Sequence, residues 1–160
     1  MRTSGVLMHI SSLPGNTGIG TLGKEAYKFV DFLKSAGQTY WQVLPLCPTS
    51  YGDSPYQSFS TFAGNPYFID FYSLCDDGLL DKDDFENIDW GENLEKIDFE
   101  KISQNRYTVL RKAYKAFDKN DSNYKIFCNE NSYWLDDFAL YMAIKEENYG
   151  KSWNEWDTDI

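Results

Sequence analysis

Residues 6–46, VLMHISSLPGNTGIGTLGKEAYKFVDFLKSAGQTYWQVLPL, decide the fold of this 160-residue chain. The apolar run at 6–10 is bounded by turn residues and predicts a buried strand. Apolar residues then recur at helical spacing over 24–36, and Gly37 provides a stop signal. Residues 41–46 predict a second buried strand. Strand, helix and strand in this order predict a parallel α/β sheet or barrel.

The second half of the sequence predicts helices. Apolar residues between 102 and 117 form one helical face, in which Arg106 is a polar intruder. Another helix is predicted to start after Asn131 and Ser132 and to fade at 148–150. Two strands alone cannot bury both faces of an α/β sheet. The pattern therefore predicts the first piece of a larger fold.

Charge divides the chain into two parts. The whole chain has 15 Lys and Arg against 25 Asp and Glu, a net charge of −10, and residues 71–160 carry all of it. All five prolines lie in the first part. We expect a turn-rich first domain at 1–78, which contains the segment 45–70, and an acidic, mainly helical second domain at 79–160.

The composition also excludes several partners. A strongly acidic chain lacks the Lys and Arg clusters that bind nucleic acid or anionic membranes, so neither is expected as a partner. Three separated cysteines without a CxxC pair, with one histidine in the chain, argue against a disulfide framework or a zinc site. No signal peptide is recognisable in the sequence. We expect a cytoplasmic protein without a metal or cofactor.

The glycines at 18, 20 and 23 spell GxGxxG between the first strand and the helix. A dinucleotide site would need this motif directly after the strand and an acidic residue after the second strand. Instead, seven residues intervene, and Pro45 and Leu46 follow the second strand. We predict a tight glycine-rich entry to the helix rather than a cofactor site.

The most informative stretch is PLCPTSYGDSPYQSFSTFAGNPYFID, residues 45–70, called the aromatic segment below. Aromatic rings beside carboxylate, amide and hydroxyl groups suit a pyranose, which stacks its C–H faces and hydrogen-bonds through its hydroxyls. Packing of the same rings on the rim of a barrel is an equally good interpretation. His9 ends the first predicted strand, a position where barrel enzymes place active-site residues, although a lone histidine is more often a core residue.

Several motifs together resemble the N-terminus of the 4-alpha-glucanotransferases, also called amylomaltases or disproportionating enzymes. They are RTSGVLMH (2–9), SSLP (11–14), GIGTLG (18–23), AGQ (36–38), WQVLPL (41–46), YGDSPYQSFS (51–60) and AGNPY (63–67). WLDDFALYMAIK (134–145) and WNEW (153–156) are similar too. Residues 81–130 match only loosely.

The resemblance implies a (β/α)8 barrel with inserted helical subdomains, of which this chain holds the incomplete N-terminal part. It implies transfer of α-1,4-glucan segments between maltooligosaccharides with retention, through a covalent glycosyl-enzyme. The family's catalytic carboxylates come from later strands, beyond residue 160, so no catalytic residue is assigned here. The alternative is a stand-alone glucan-binding module without catalysis.

The resemblance also implies the substrate-binding residues. Tyr56 would stack on the sugar at the cleavage site, and Asp53, Ser54 and Gln57 would form or support the donor pocket. Tyr51 resembles the tyrosine of a secondary glucan-binding groove. His9 would help to shape the mouth of the same active site.

Overall fold

The computed structural model describes residues 2–91 and 95–156, without the side chain of Tyr51. They form two compact units, Met1–Phe117 and Asp118–Ile160. Each unit is described by itself below. None of the helices in these described ranges has an apolar stretch long enough to cross a membrane.

The first unit is built on a parallel βα unit. Strand β1 (Gly5–Leu7) pairs in parallel with β2 (Tyr40–Gln42), so that Val6 lies opposite Trp41. Both predicted strands exist, but each is shorter than its apolar run, and their residues are alternately exposed and half-buried. The prediction of buried strands is wrong for this chain, because a two-stranded sheet leaves both edges and much of its surface open.

Helix α1 (Lys24–Ser35) joins the two strands and lies where the periodicity predicts it. Its buried residues are Ala26 and Leu33, and the Phe29 ring packs edge-on against Trp41 at 4.9 Å between centroids. Gly37 follows the helix with φ of 68°, a left-handed conformation that favours glycine. The predicted helix and its stop signal are therefore confirmed.

Two further helices complete this unit. Helix α2 (Phe71–Asp76) is capped by Asp70, and α3 (Phe99–Ala116) is capped by Asp98. The predicted apolar face of α3 is confirmed, because its buried residues are Ile102, Arg106, Val109 and Ala113. This face belongs to the same core as Ile10, Phe71, Phe85 and Trp90.

The boundary between the two compact units follows Phe117, whereas the sequence predicts a domain boundary at 78. Composition changes at 78, but the acidic stretch that follows still packs on the first part through the α3 core. Residues on both sides of position 78 therefore share one core, although the charge of the sequence changes there. The division of a complete barrel into 1–78 and an inserted subdomain at 79–160 stays a prediction.

The second unit is a pair of helices, α4 (Ser122–Glu130) and α5 (Ser132–Glu147). Asp121 caps α4 by accepting a hydrogen bond from the Tyr124 N–H at 2.9 Å. Helix α5 starts and ends where the sequence predicts. Neither helix has a fully buried residue within this unit.

Candidate functional site

The aromatic segment begins just after β2, and residues 13–23, called the glycine-rich loop below, follow β1 and precede α1. Since the strands are parallel, both loops leave from the carboxyl ends of the strands. Ligands of α/β sheets and barrels bind at this edge. The Asn65 N–H donates to the Leu46 carbonyl at 2.8 Å, which closes residues 46–65 into a loop with a fixed base.

Residues 50–57 form a small closed turn within this loop. The Ser50 N–H donates to the Gln57 carbonyl, and the Asp53 N–H donates to the Ser50 carbonyl, both at 3.0 Å. Gly52 and Asp53 have φ of 77° and 53°. Left-handed backbone suits glycine and is tolerated by aspartate. The turn thus gathers Asp53, Ser54, Tyr56 and Gln57 within a few residues.

Asp53 is the half-buried acid of this turn. Burial raises the pKa of its carboxyl, and a hydrogen bond from Thr49 at 3.4 Å opposes this rise. Ser54 has a local role, because its Oγ accepts a hydrogen bond from the Tyr56 N–H at 3.3 Å. The turn therefore offers one partly shielded carboxylate and a tyrosine whose backbone is fixed by its neighbour.

The aromatic rings of the segment divide into two groups. Tyr56 is 73 % exposed, and Phe62 is exposed too, so both rings face solvent. Tyr67 is only 9 % exposed, packs edge-on against Tyr107 at 6.1 Å, and burial raises its pKa to about 12. The Tyr67 ring belongs to the protein core, so for this ring the interpretation as a packing residue holds. The Tyr51 side chain lies outside the described residues.

His9 lies two residues beyond β1 rather than at its end. Its ring contacts the Phe68 ring edge-on at 5.2 Å between centroids, so it borders the end of the aromatic segment. Its Nδ1 is buried without a hydrogen-bond partner, and burial lowers the pKa of the imidazole. His9 is therefore a neutral, half-buried ring at neutral pH.

The glycine-rich loop packs closely against neighbouring residues of the same chain. A Cβ on Gly20 would lie 2.0 Å from the Ile10 carbonyl oxygen. A Cβ on Gly23 would lie 2.3 Å from the Asp70 carboxyl carbon. These glycines permit close packing at the entry to α1, which confirms the predicted role of the motif.

The same loop is attached to the end of the aromatic segment. Thr21 Oγ1 donates to the Asp70 carboxylate at 2.7 Å, and the Leu22 N–H donates to the Phe68 carbonyl at 2.9 Å. Sequence reasoning missed these contacts, together with the partners of Arg106. The only signal was a polar residue on the apolar face of α3.

Two of the cavities beside these loops are larger than 500 Å³. One, of about 660 Å³, is lined by parts of 11–20, by Trp90 and Gly91 and by 95–97. The other, of about 520 Å³, is an apolar groove at the base of the aromatic segment, lined by Leu22, Leu46, residues 64–66, residues 68–70, Ser73 and Leu74. Open space is therefore present beside both loops at the carboxyl edge of the strands.

Comparison with known proteins agrees with this architecture. A family model described as 4-alpha-glucanotransferase matches residues 8–160. The 4-alpha-glucanotransferase of Clostridium butyricum is 56 % identical over 154 residues, which are 96 % of this chain and 32 % of that protein. The 4-alpha-glucanotransferase of Thermus thermophilus is 43 % identical over 160 residues, 97 % of this chain and 31 % of that protein.

A solved structure matches as well. The amylomaltase from Streptococcus agalactiae in complex with acarbose superposes with a TM-score of 0.92 at 50 % identity, over 98 % of this chain and 32 % of that one. The fold is therefore part of a (β/α)8 barrel, as the sequence predicts. The chain belongs to the 4-alpha-glucanotransferase family. It spans about a third of the length of these relatives.

Proposed function

We propose that this chain supplies part of the donor-sugar site of a 4-alpha-glucanotransferase, which transfers α-1,4-glucan segments between maltooligosaccharides. The family match over residues 8–160 carries this proposal. The turn at 50–57 supports it, because an exposed ring, a carboxylate and an amide stand close together there. The proposed setting is the cytoplasm, with no nucleic acid or membrane as partner.

Each side chain of the turn has a distinct role in this proposal. The Tyr56 ring stacks on the apolar face of a glucose unit. The Asp53 carboxylate accepts hydrogen bonds from sugar hydroxyls, and the Gln57 amide can both donate and accept. Ser54 positions Tyr56 by accepting a hydrogen bond from the Tyr56 N–H. His9 helps to shape the mouth of the site, and Tyr51 contributes to a secondary glucan-binding groove.

The bond-breaking chemistry is assigned to residues outside this chain. A retaining transfer needs one carboxylate as nucleophile and one carboxyl as acid and then base, about 5 Å apart. We propose that both come from other parts of the barrel. The transferred glucan stays covalently bound to the nucleophilic carboxylate until the 4-hydroxyl of an acceptor sugar, rather than water, attacks and releases the carboxylate.

A chimera tests the proposal. In it, this chain replaces the matching third of the Streptococcus agalactiae amylomaltase, called the chimera below. We expect the chimera to fold and to release glucose from maltotriose. Tyr56→Ala should lower kcat/KM about tenfold or more, since loss of one stacking contact of about 1.4 kcal/mol has this effect. Tyr27→Ala, which removes an equally exposed tyrosine of α1, is the matched control.

Each outcome decides between the alternatives. A folded chimera that binds maltotriose without releasing glucose would favour a glucan-binding module. Full activity of the Tyr56→Ala chimera would remove the stacking role. Failure of the chimera to fold would contradict the claim that this chain supplies the equivalent part of the barrel.

A further inference from the structure

Arg106 is a fully buried cation in the middle of α3, with no exposed surface. Its Nη1 donates to the backbone oxygen and to the hydroxyl of Thr17, each at 3.4 Å. Its Nη2 donates to the Ile69 carbonyl. The guanidinium carbon lies 4.2 Å above the centre of the Phe71 ring, and Nε has no hydrogen-bond partner.

This burial is energetically costly, because a guanidinium loses its hydration there. Within the described ranges, no carboxylate forms an ion pair with Arg106, although the charge of the Asp70 carboxylate favours the protonated guanidinium. Burial lowers the pKa of Arg106 to about 10, so the side chain is still charged at neutral pH. An apolar side chain would fill this position of the helix without the cost of burying a charge. The contacts of the guanidinium must therefore account for its presence.

These contacts join two loops that lie far apart in the sequence. Thr17 belongs to the glycine-rich loop after β1, whereas Ile69 and Phe71 lie at the end of the aromatic segment and at the start of α2. A planar guanidinium carries donors on two separate nitrogens in a fixed geometry, so it can bond both loops at once. A lysine offers a single donor nitrogen.

The contact with Ile69 reaches the base of the aromatic segment. Ile69 directly follows a 3-10 turn (Pro66–Phe68) that is capped by the Asn65 side chain. The Asn65 N–H in turn closes the loop at the Leu46 carbonyl. A shift of the Ile69 backbone would therefore also displace Asn65 and its hydrogen bond to Leu46. This hydrogen bond closes the loop that contains residues 50–57.

We propose that Arg106 is a positioning residue that bridges the glycine-rich loop and the aromatic segment, and that it thereby holds the sugar-binding turn in place. The catalytic consequence rests on the proposed function, whereas the structural bridge does not. Arg106 touches no substrate in this proposal. It acts through Ile69 and the loop base.

Hydrogen exchange in the chimera tests the bridge independently of activity. Arg106→Met should increase amide exchange at 57–69 about tenfold, because the loop base loses its attachment. Val109→Ala is the matched control: Val109 is equally buried in α3, and its truncation leaves a cavity that lowers Tm without removing the bridge. This control should leave exchange at 57–69 unchanged.

Kinetics with maltotriose tests the consequence for the substrate. We expect Arg106→Met to raise KM about fivefold with kcat within about twofold, since a displaced binding loop weakens ground-state and transition-state binding alike. Val109→Ala should lower Tm without changing KM. Arg106→Lys keeps the charge but carries its three donors on a single nitrogen rather than on a planar fork, so we expect it to lose one of the two loop contacts and to behave like Arg106→Met.

Three results would overturn the proposal. They are unchanged exchange at 57–69 in Arg106→Met, equal effects of Arg106→Met and Val109→Ala on exchange and KM, and wild-type behaviour of Arg106→Lys. An inactive chimera with Arg106-dependent exchange would instead contradict the proposed function and leave the bridge intact.

Discussion

The Thr21 hydroxyl donates a 2.7 Å hydrogen bond to the Asp70 carboxylate, across 49 positions of the sequence. Asp70 at the same time caps α2 by accepting from the Ser73 N–H at 2.9 Å and from the Ser73 hydroxyl at 3.1 Å. One side chain thus ends the aromatic segment, starts a helix and joins the segment to the entry of α1.

We expect Thr21→Val to lower the free energy of unfolding by about 1–2 kcal/mol, because it removes a hydrogen bond to a charged group while keeping the shape of the side chain. Tm of the chimera measures the effect. Thr108→Val is the control, since among the described residues the Thr108 hydroxyl bonds within its own helix, to the Gln104 carbonyl. Equal changes of Tm in the two variants would show that the Thr21–Asp70 contact contributes nothing specific.

The glycine-rich loop gives a second prediction. Gly20→Ala should destabilise the chimera by about 3 kcal/mol or more, because the new Cβ would lie 2.0 Å from the Ile10 carbonyl oxygen and 2.7 Å from the Leu13 nitrogen. The contact is with backbone atoms, which cannot turn away as a side chain would.

Gly64→Ala provides the matched comparison. A Cβ at Gly64 meets no atom within 4 Å, so this substitution should change Tm little. Thermal unfolding of both variants, at equal protein concentration, measures the contrast. A Gly20→Ala protein as stable as Gly64→Ala would mean that the loop does not pack closely against 10–13.

Periodicity predicts well the two helices that bury a face defined by their own sequence, α1 and α3, whereas α4 and α5 have no buried residue. Helix α1 and the Ile102–Val109 face of α3 lie as expected. The strands are less predictable, because the number of paired residues depends on neighbouring strands and not on the apolar run alone. Each of the runs at 6–10 and 41–46 therefore contributes only two residues to its three-residue strand.

The candidate site is only partly readable from sequence for a similar reason. Motif resemblance selects Asp53, Ser54, Tyr56 and Gln57, and the structure gathers them in one turn. The difference between Tyr56 and Tyr67 cannot be read locally, since both follow a proline in a polar loop. Contact with Tyr107 on a distant helix decides that Tyr67 is buried. The partners of Arg106 are likewise set by tertiary packing.

His9 leads to a prediction about pH. Burial lowers its pKa in the folded chain, and its buried Nδ1 has no partner that could accept a proton from a charged ring. Below the ordinary histidine pKa of about 6.5, the unfolded chain therefore binds a proton that the folded chain does not. Stability rises with pH wherever the unfolded state binds more protons, so acidification through this range should destabilise the protein.

The measurement compares Tm of the chimera and of its His9→Gln variant between pH 7.5 and pH 5. Other titrating groups are common to both proteins, so their contributions cancel in the difference. Because Gln does not titrate, Tm of the variant should fall less on acidification than Tm of the parent. Parallel pH profiles would show that His9 has its ordinary pKa in the folded state. A parent that gains stability relative to the variant at pH 5 would show that His9 is charged in the fold and has an acceptor for its Nδ1 proton.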